Sequence, residues 1–551
     1  MKKILSFLAF IFILTTICLA TDVNPVLRVG LYYEEDAMPT ANLQVTNGEG
    51  YRLGFYDSTL TFIQCFYTSA GKITMTNDQN LWHKDGKFYT NDSTQGAKVL
   101  GAYHIECTSQ FNDLTSAENA LAGFANQGYK GFIAYINGTY RVRLGAFTTE
   151  NDAESVRAQI GGTVVGASKT AVSVYNTESG EIIFEYDGGT NSYLAVNPTK
   201  GEVAMPITWF KAMKFPGAFE YVRNGGNITV VNVVPMQDYL KGVLPWEMYP
   251  SDPLEALKAQ ALCARTYAYY NMGKHGSEFD ICAGTHCQAY RGMERANATT
   301  NRAVDETEGQ YILYNGRPIN AVFHSCDGGA TEDAKNVWGS EIPYLKGKID
   351  PYEKTENAYN GVWSYEYTPQ QLTDILNSKG YDAALICDAK VEHTALGNVL
   401  RVTYTDINGR DWVFNRERAR TIINSSSLDK HTRSQRYTIT RNGGTNASSL
   451  VMRVNNASDF DLLNIEAWAV GKFGSSQLQG NNISVITSDG IKTFSGGGQS
   501  SGNGNFVISG RGWGHNVGLS QEGAADMADL GFTAQEIIHF YYTDVTITNE
   551  E

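Results

Sequence analysis

The chain has 551 residues, of which 58 are acidic and 44 are basic, so that its formal net charge is −14. Hydrophobic residues make up 42% of the chain, which suits about three folded units of roughly 150 residues each. So acidic a composition argues against a nucleic acid or an anionic lipid surface as partner, because neutralising phosphates requires a basic surface.

The first twenty residues, "MKKILSFLAFIFILTTICLA", have a basic start, an apolar run and a small-residue end. These are the three parts of an export signal, so residues 1–20 are predicted to be a signal peptide and the chain to be secreted or associated with the cell wall. The apolar run is shorter than the roughly 20 residues of a membrane-spanning helix, which favours cleavage after Ala20 over a retained anchor.

Residues 21–98 alternate apolar and polar side chains in short runs such as "VLRVGLYY" and "LTFIQCFYTS". This alternation predicts a β-rich segment, and its sequence contains no recognisable catalytic or binding motif.

Residues 99–174 contain a repeated strand, helix, strand order, which begins at "YHIECTSQF" and starts again at "TYRVRLGAFT". Two such halves predict a small ferredoxin-like sheet with two helices on one face. The stretch "YRVRLGAFTTENDAESV" resembles a SPOR domain, which implies binding to peptidoglycan glycan strands stripped of their stem peptides. An ordinary ferredoxin-like domain without a ligand is the alternative.

Residues 175–551 are predicted to form a mixed α+β domain with strands around a central alanine-rich helix. Asp252 is predicted to cap this helix, with Pro253 at its first position and Glu255 completing a capping box, and the helix should run to about Met272. A glycine-rich loop and two short helices close the chain. A polar insertion covers about residues 425–505.

Five stretches of this domain carry a specific resemblance: "DYLKGVLPWEM", "PLEALKAQALCARTYA", "VFHSCDGGATEDAKNVWG", "PYLKGKID" and "GRGWGHNVGLSQEGAADMADLGFTAQEIIHFYY". They resemble the stage II sporulation protein D family, which includes amidase-enhancer proteins. The resemblance implies a lytic transglycosylase that cleaves denuded glycan between N-acetylmuramic acid and N-acetylglucosamine and leaves anhydro ends. An N-acetylmuramoyl-L-alanine amidase is a candidate partner. Cys326 departs from the pattern, since a small residue such as serine is expected there.

The resemblance places Glu247 at the position of the family's catalytic acid, in a short loop between two prolines. A glycosidase normally needs two carboxyl groups, but a lytic transglycosylase can use one, because the C6 hydroxyl of the substrate is its nucleophile. A helix N-terminus just after Glu247 would lower its pKa, whereas the apolar neighbours Trp246 and Met248 would raise it. The sequence leaves that balance open.

Seven further residues are candidates for substrate binding because they are polar and lie in the resembling motifs: Lys258, Arg265, His324, Ser325, Asp327, His515 and Gln521. For Lys258 and Arg265 the alternative is an exposed helix face with a structural ion pair. The "HSCDGG" stretch lacks the nucleophile elbow of a serine hydrolase, and a cysteine nucleophile at position 326 is disfavoured.

Four metal-ligating residue types lie within thirteen residues after the central helix: His275, Cys282, His286 and Cys287. Zinc takes four nitrogen or sulfur ligands, but adjacent side chains at 286 and 287 need a tight turn to converge. A disulfide between the two cysteines is the rival in an exported protein. The resemblance favours a structural zinc ion, because some members of the family carry zinc at this place.

Two functions of a different class stay open beside the enzyme. One is a non-enzymatic amidase enhancer, and the other is a peptidoglycan-binding wall protein in which the SPOR-like unit carries the function. Glu247 favours the enzyme over both.

Overall fold

The computed structural model describes residues 24–91, 95–200, 205–359, 361–442 and 504–548, together with the backbone of six strands between residues 451 and 495. The predicted signal peptide lies outside the described residues, and of the insertion predicted at about 425–505 the structure describes residues 425–442, residues 504–505 and the backbone of these six strands. The architecture is α+β, as the sequence predicted. None of the helices in the described part of the chain is both long and apolar enough to cross a membrane.

The strands of the amino-terminal half are, in chain order, β1 (Val26–Tyr32), β2 (Thr40–Val45), β3 (Tyr51–Tyr56), β4 (Phe62–Thr68), β5 (Lys72–Asn77), β6 (Leu81–Lys84), β7 (Lys87–Tyr89), β8 (Lys98–Leu100), β9 (Tyr103–Glu106), β10 (Gly131–Ile136), β11 (Thr139–Phe147), β12 (Thr163–Val165), β13 (Val172–Asn176), β14 (Ile182–Asp187), β15 (Leu194–Pro198), β16 (Thr208–Phe210), β17 (Met213–Phe215), β18 (Ala218–Asn224), β19 (Asn227–Pro235) and β20 (Ile281–Cys282).

Those of the carboxy-terminal half are β21 (Ile312–Tyr314), β22 (Arg317–Pro318), β23 (Phe323–His324), β24 (Val362–Tyr367), β25 (Ile386–His393), β26 (Val399–Asp406), β27 (Asp411–Asn415), β28 (Tyr437–Arg441), β29 (Val451–Val454), β30 (Ala457–Asp461), β31 (Trp468–Gly471), β32 (Gly474–Gln477), β33 (Asn482–Thr487), β34 (Gly490–Ser495), β35 (Phe506–Arg511), β36 (Leu519–Ser520) and β37 (Thr546–Ile547). Strands β29 to β34 form three two-stranded hairpins.

The helices are α1 (Leu114–Ala125), α2 (Glu150–Ile160), α3 (Met236–Glu247), α4 (Leu254–Tyr270), α5 (Ala298–Glu306), α6 (Ala334–Trp338), α7 (Pro369–Ser378), α8 (Glu417–Thr421), α9 (Gln521–Asp529) and α10 (Ala534–Tyr541).

The repeated unit predicted at residues 99–174 forms four neighbouring strands, β12-β9-β11-β10, with α1 and α2 packed on them. Its sheet does not end there, because β10 pairs in parallel with β14, and β13 then joins it to β5 and β2. The result is a ten-stranded sheet that ends at β16 and β17. The predicted domain boundaries at residues 98 and 174 are therefore crossed by strand pairing.

A second, seven-stranded sheet has the order β20-β1-β19-β18-β15-β3-β4. Strand β1 pairs antiparallel with β19 and parallel with β20, so the amino-terminal strand completes a sheet of the downstream region. The two sheets share one hydrophobic core, in which the rings of Phe66 and Phe184 stack with their centroids 5.0 Å apart. The predicted β-rich segment at 21–98 is thus part of both sheets rather than a separate unit.

Helix α4 is the predicted alanine-rich helix, and small buried residues such as Ala261 and Ala264 let its neighbours approach closely. Its neighbours are mainly the helices α3, α5, α9 and α10, whereas the sequence predicted strands around it. The predicted capping is also wrong. The Asp252 carboxylate accepts a hydrogen bond from the Tyr249 amide at 2.8 Å, and that of Glu255 accepts one from the Ala534 amide at 2.9 Å.

A second hydrophobic core joins α7, α8 and strands β24 to β28 with β35. Trp363 packs in this core, and its indole nitrogen donates a hydrogen bond to the Gly512 carbonyl at 3.1 Å. Strand β35 leads directly into the glycine-rich loop at 512–518, so this core anchors the loop beside the start of α9.

Candidate active site and metal-ligand cluster

Glu247 is the last residue of α3 rather than part of a loop, because the helix continues through Pro245. Its side chain is half-buried, and the carboxylate oxygen Oε1 accepts a hydrogen bond from the Ala289 amide at 2.9 Å. The helix therefore presents Glu247 to a segment that lies just after the cysteine-rich turn.

Burial raises the pKa of Glu247 above its usual value, although the Ala289 amide and the Gln521 side chain each lower it in part. The carboxyl also sits at the carboxy-terminal end of α3, where the helix dipole does not favour an anion. The balance that the sequence left open is thus settled in favour of desolvation. A raised pKa is what a general acid working near neutral pH requires.

Gln521 reaches Glu247 from the first position of α9. Ser520 caps this helix by accepting a hydrogen bond from the Gly523 amide at 3.2 Å. The structure therefore brings Gln521 to the carboxyl group of Glu247, from a motif more than 270 residues away in the sequence.

Lys258 does not face this carboxyl group. Its ammonium group forms ion pairs with Glu255 at 2.9 Å and Glu306 at 2.8 Å, which link α4 to α5. This arrangement fits the structural ion pair that the sequence left open as an alternative.

Arg265 is completely buried, so the substrate contact predicted for it is wrong. Its guanidinium group donates to the Gln237 side chain at 3.1 Å, to the Val304 carbonyl at 3.2 Å and to the Thr307 hydroxyl at 3.2 Å. These bonds fasten α4 to α3 and to α5. Arginine offers the same donors to a protein carbonyl as to a substrate. The residue type alone therefore could not show whether Arg265 binds substrate or holds helices together.

His324 and His515 lie together beside α9, with their ring centroids 5.4 Å apart. Strand β23 places His324 opposite Ser520, and its Nδ1 lies 3.2 Å from the Val517 carbonyl oxygen. Burial lowers the pKa of His324 to about 3 and that of His515 well below its usual value, so both rings are neutral at pH 7. His515 stays half-exposed and packs against the Trp338 ring at 5.1 Å.

Ser325 is half-exposed, and its main-chain oxygen accepts a hydrogen bond from the Glu522 amide at 3.0 Å. Ser325 therefore joins His324, His515 and Gln521 around the start of α9. These four predicted substrate residues are brought together, whereas Lys258 and Arg265 belong to the helix packing behind them.

Asp327 is fully buried, and the prediction that it contacts substrate is wrong. One carboxylate oxygen each of Asp327, Asp350 and Glu353 lie within 4.8 Å of one another. Burial, together with the charges of Glu353 and Asp350, raises the pKa of Asp327 well above its usual value. Its Oδ1 accepts a hydrogen bond from the Gly329 amide at 2.6 Å, so the residue shapes the "HSCDGG" turn from behind.

The raised pKa favours the neutral form of Asp327, so we expect Asp327→Asn to lower the free energy of unfolding by less than about 1 kcal/mol at pH 7, since asparagine keeps one acceptor and one donor. Asp327→Ala removes the acceptor of a buried amide and should cost about 1–3 kcal/mol. Urea denaturation of both variants checks this. An asparagine variant as unstable as the alanine variant would show that Asp327 is charged.

The four predicted metal ligands converge. Strand β20 fixes Cys282 beside β1, and a turn closed by a hydrogen bond from the Cys287 amide to the Gly284 carbonyl at 3.0 Å brings His286 and Cys287 to the same side. The ligand atoms of His275, Cys282, His286 and Cys287 all lie within 4.8 Å of one another. The tight turn that the sequence required is therefore present.

The distances in this cluster suit a tetrahedral ion. Cys282 Sγ is 3.6 Å from His286 Nδ1, Cys287 Sγ is 3.6 Å from His275 Nε2, and Cys287 Sγ is 3.8 Å from His286 Nδ1. Zinc bond lengths and tetrahedral angles place sulfur and nitrogen ligands about 3.6 Å apart. The two cysteines are unbonded thiols in this structure. Residues 275–287 thus fit a zinc ion, two residues before the amide that contacts Glu247.

Residues 224–314 match the model of the family described as stage II sporulation protein (SpoIID), and residues 100–172 match that of the SPOR domain. The chain carries a SpoIID domain and a SPOR domain. Both resemblances drawn from the motifs are thus confirmed. The SpoIID match contains Glu247 and all four residues of the metal-ligand cluster.

Relatives align with about three fifths of the chain. An uncharacterized protein of Brachyspira hyodysenteriae is 28% identical over 339 residues, which cover 61% of this chain and 73% of that protein. The stage II sporulation protein D of Bacillus subtilis is 26% identical over 337 residues, covering 58% of this chain and 76% of that protein. The amidase enhancer of Bacillus subtilis is 31% identical over 317 residues, but the match covers only 40% of its length and 56% of this chain.

The sequence did not reveal the residues that contact Glu247 and its neighbour Trp246 from the other side. These are the Ala289 amide and the side chains of Arg291 and Arg295, which pack on the Trp246 ring. The sequence held one clue to these contacts, because the three residues come directly after Cys287. A metal-binding turn beside a catalytic glutamate would carry the residues that follow it to the same place.

Proposed function

We propose that the protein is an exported lytic transglycosylase that cleaves denuded peptidoglycan strands between N-acetylmuramic acid and N-acetylglucosamine. The observation that carries the proposal is the Glu247 carboxyl group, half-buried, with a raised pKa, and facing Gln521 from the glycine-rich motif. The SpoIID match and the relatives named stage II sporulation protein D and amidase enhancer support a role in the cell wall during sporulation.

A single carboxyl group can perform both proton transfers of this reaction. The Glu247 carboxyl protonates the glycosidic oxygen as its bond to C1 of the muramic acid breaks. The C6 hydroxyl of the same sugar then forms a bond to C1 and gives its proton to the Glu247 carboxylate. No water is consumed, and Glu247 ends in the protonation state in which it began.

The neighbours of Glu247 have separate tasks in this mechanism. Desolvation favours the protonated form of the carboxyl group, and the Ala289 amide and Gln521 orient it and stabilise the anion that forms after the first transfer. Ser325 and His515 lie at the start of α9 as hydrogen-bonding groups for sugar hydroxyl and acetamido groups, and the buried His324 packs behind them.

His275, Cys282, His286 and Cys287 would hold a structural zinc ion. Four protein ligands leave no open position for water, so the ion would stabilise the turn rather than take part in the reaction. A hydrogen bond between the two cysteines lowers the pKa of Cys282 and raises that of Cys287, so the pair shares a proton that zinc binding would release. The turn at residues 284–287 leads directly to Ala289, whose amide donates a hydrogen bond to Glu247.

The SPOR domain supports a location at the cell wall, where it would hold the chain on denuded glycan. Mass spectrometry of the products from purified protein and denuded glycan tests the proposed activity. We expect anhydro-muramic ends. Reducing ends would identify a hydrolase instead, and intact glycan would contradict the proposal.

A non-enzymatic amidase enhancer is the second candidate, favoured by the 31% identity to the amidase enhancer of Bacillus subtilis. In that case, adding the protein to an N-acetylmuramoyl-L-alanine amidase would speed amide cleavage, and Glu247→Gln would speed it equally well.

A further inference from the structure

Two arginine side chains pack over the indole ring of Trp246, the residue that precedes Glu247. The guanidinium carbon of Arg295 lies 3.7 Å from the ring centroid and that of Arg291 lies 4.9 Å from it. Both arginines are exposed, and among the described residues the contact found for each guanidinium group is the one with the Trp246 ring. Two cations therefore stand beside the proposed catalytic acid, in a chain whose net charge is −14.

The same segment leads from Glu247 to the ten-stranded sheet. The Met293 amide donates a hydrogen bond to the Lys214 carbonyl of β17 at 2.7 Å. The Lys214 ammonium group lies 5.2 Å from the centroid of the Trp209 ring, on the neighbouring strand β16. This hydrogen bond thus links the segment that carries Arg291 and Arg295 to a second pair of a tryptophan and a cation, Trp209 and Lys214.

The strand pairing next to Trp209 places further polar side chains beside its ring. Trp209 lies opposite Gln44 of β2, and Gln44 lies opposite Lys72 of β5, so the side chains share one face of the sheet. Here Trp209 and Gln44 line an open cavity of about 580 Å³. Its acidic members are Asp85 and Glu178, and Glu178 pairs with Lys72 at 3.1 Å.

We infer that this track, defined as Trp246, Arg291, Arg295, Lys214, Trp209 and Gln44, binds a linear polysaccharide that carries carboxylate groups and leads it to Glu247. Aromatic rings pack on the apolar faces of sugars, amide side chains bind their hydroxyl groups, and guanidinium groups bind carboxylates with two parallel hydrogen bonds. An elongated row suits a polymer better than a compact ligand.

The inference rests on the proposed function and extends it to the choice of substrate. Hydrolysis of the amide bond to the stem peptide leaves a free carboxylate on each muramic acid, whereas an intact strand has a neutral amide at that position. Arg291 and Arg295 would therefore distinguish denuded from peptide-bearing glycan by charge.

The test measures binding rather than cleavage. In the full-length Glu247→Gln protein, titration calorimetry gives the Kd for soluble denuded glycan and for the same glycan with its carboxylates converted to amides. Adding Arg291→Ala and Arg295→Ala should raise the Kd for denuded glycan at least about tenfold, as expected for lost charge-assisted hydrogen bonds. Amidated glycan should bind both proteins with the same Kd. Trp209→Ala should weaken the binding of both glycans alike.

Lys390→Ala combined with Arg401→Ala is the matched control, because it removes the same charge from exposed strands of the second core. An unchanged Kd in the arginine variant, an equal rise in the control, or tighter binding of poly-glutamate than of denuded glycan would overturn the inference. If binding depends on the arginines but the wild-type protein forms no anhydro ends, the inference stands and the transglycosylase proposal fails.

Discussion

Glu247→Gln should reduce the cleavage of denuded glycan by at least the roughly 10²–10⁴-fold that is attributed to general acid–base catalysis. Glutamine keeps the shape of the side chain and an acceptor for the Ala289 amide, but it cannot donate the proton. Both steps of the proposed reaction use this carboxyl group, so the loss should lie at the upper end of that range. Quantifying anhydro ends by mass spectrometry measures it, and glycan binding should survive.

Asp252→Asn and Glu255→Gln are the matched controls, since they are the nearest acidic residues along the chain. Asp252 holds the Tyr249 amide and Glu255 holds Lys258 and the Ala534 amide, so each change should cost about 1 kcal/mol of stability, with a smaller effect on turnover. Normal cleavage by Glu247→Gln together with inactivity of Asp252→Asn would transfer the catalytic role to Asp252. Normal cleavage by all three would show that the catalytic acid is a residue other than these three, and absence of cleavage by the wild type would favour the amidase-enhancer function.

The pH dependence of cleavage follows from the same site. The pKa of Glu247 is raised, so the protonated form that starts the reaction persists to higher pH than for an exposed glutamate. The value of kcat/KM should therefore fall as the pH rises through this pKa. Gln521→Leu removes a group that lowers it and should move the fall to higher pH.

Cys282→Ser should abolish zinc binding and lower the melting temperature of the whole chain. The cysteine cluster includes strand β20, which pairs with β1, so its loss would loosen an edge of the seven-stranded sheet as well as the turn. Elemental analysis of protein purified without added metal should give about one zinc ion per chain for the wild type and none for the variant.

Cys387→Ser is the control for this experiment, because Cys387 is a partly exposed free thiol outside the cluster. It should keep the zinc ion and the melting temperature. A metal-free wild-type protein with a disulfide between Cys282 and Cys287 would contradict the zinc proposal. A chelator should reproduce the effect of Cys282→Ser in the wild type and have none on that variant.

Local signals predicted the parts of the fold that depend on neighbouring residues. The two strand–helix–strand halves of the SPOR domain were visible in their periodicity. The capping box of α10, in which Thr533 and Glu536 hold each other's backbone amides, was visible from its spacing. The four predicted metal ligands could be picked out because their residue types are uncommon and lie close together, and the turn that brings their ligand atoms together is present.

What the sequence could not show are interactions between distant segments. Arg265 and Lys258 lie on the predicted faces of α4, but whether such a face meets substrate or another helix depends on where α3 and α5 pack. Asp327 offered a carboxyl group in a glycine-rich turn, and only the approach of Asp350 and Glu353 shows that it is turned inward. The sequence likewise did not indicate that Arg291 and Arg295 pack on Trp246, more than forty residues earlier in the chain.

The position of β1 has a consequence for folding during export. Val26 pairs with Pro235, and Val29 pairs with Ile281, so the first strand to emerge from a translocation channel has both its neighbours more than 200 residues behind it. Contacts of such long sequence separation form slowly, and an unpaired strand is prone to aggregate. On the predicted export route, β1 would therefore stay unpaired until residues 227–282 have followed it across the membrane.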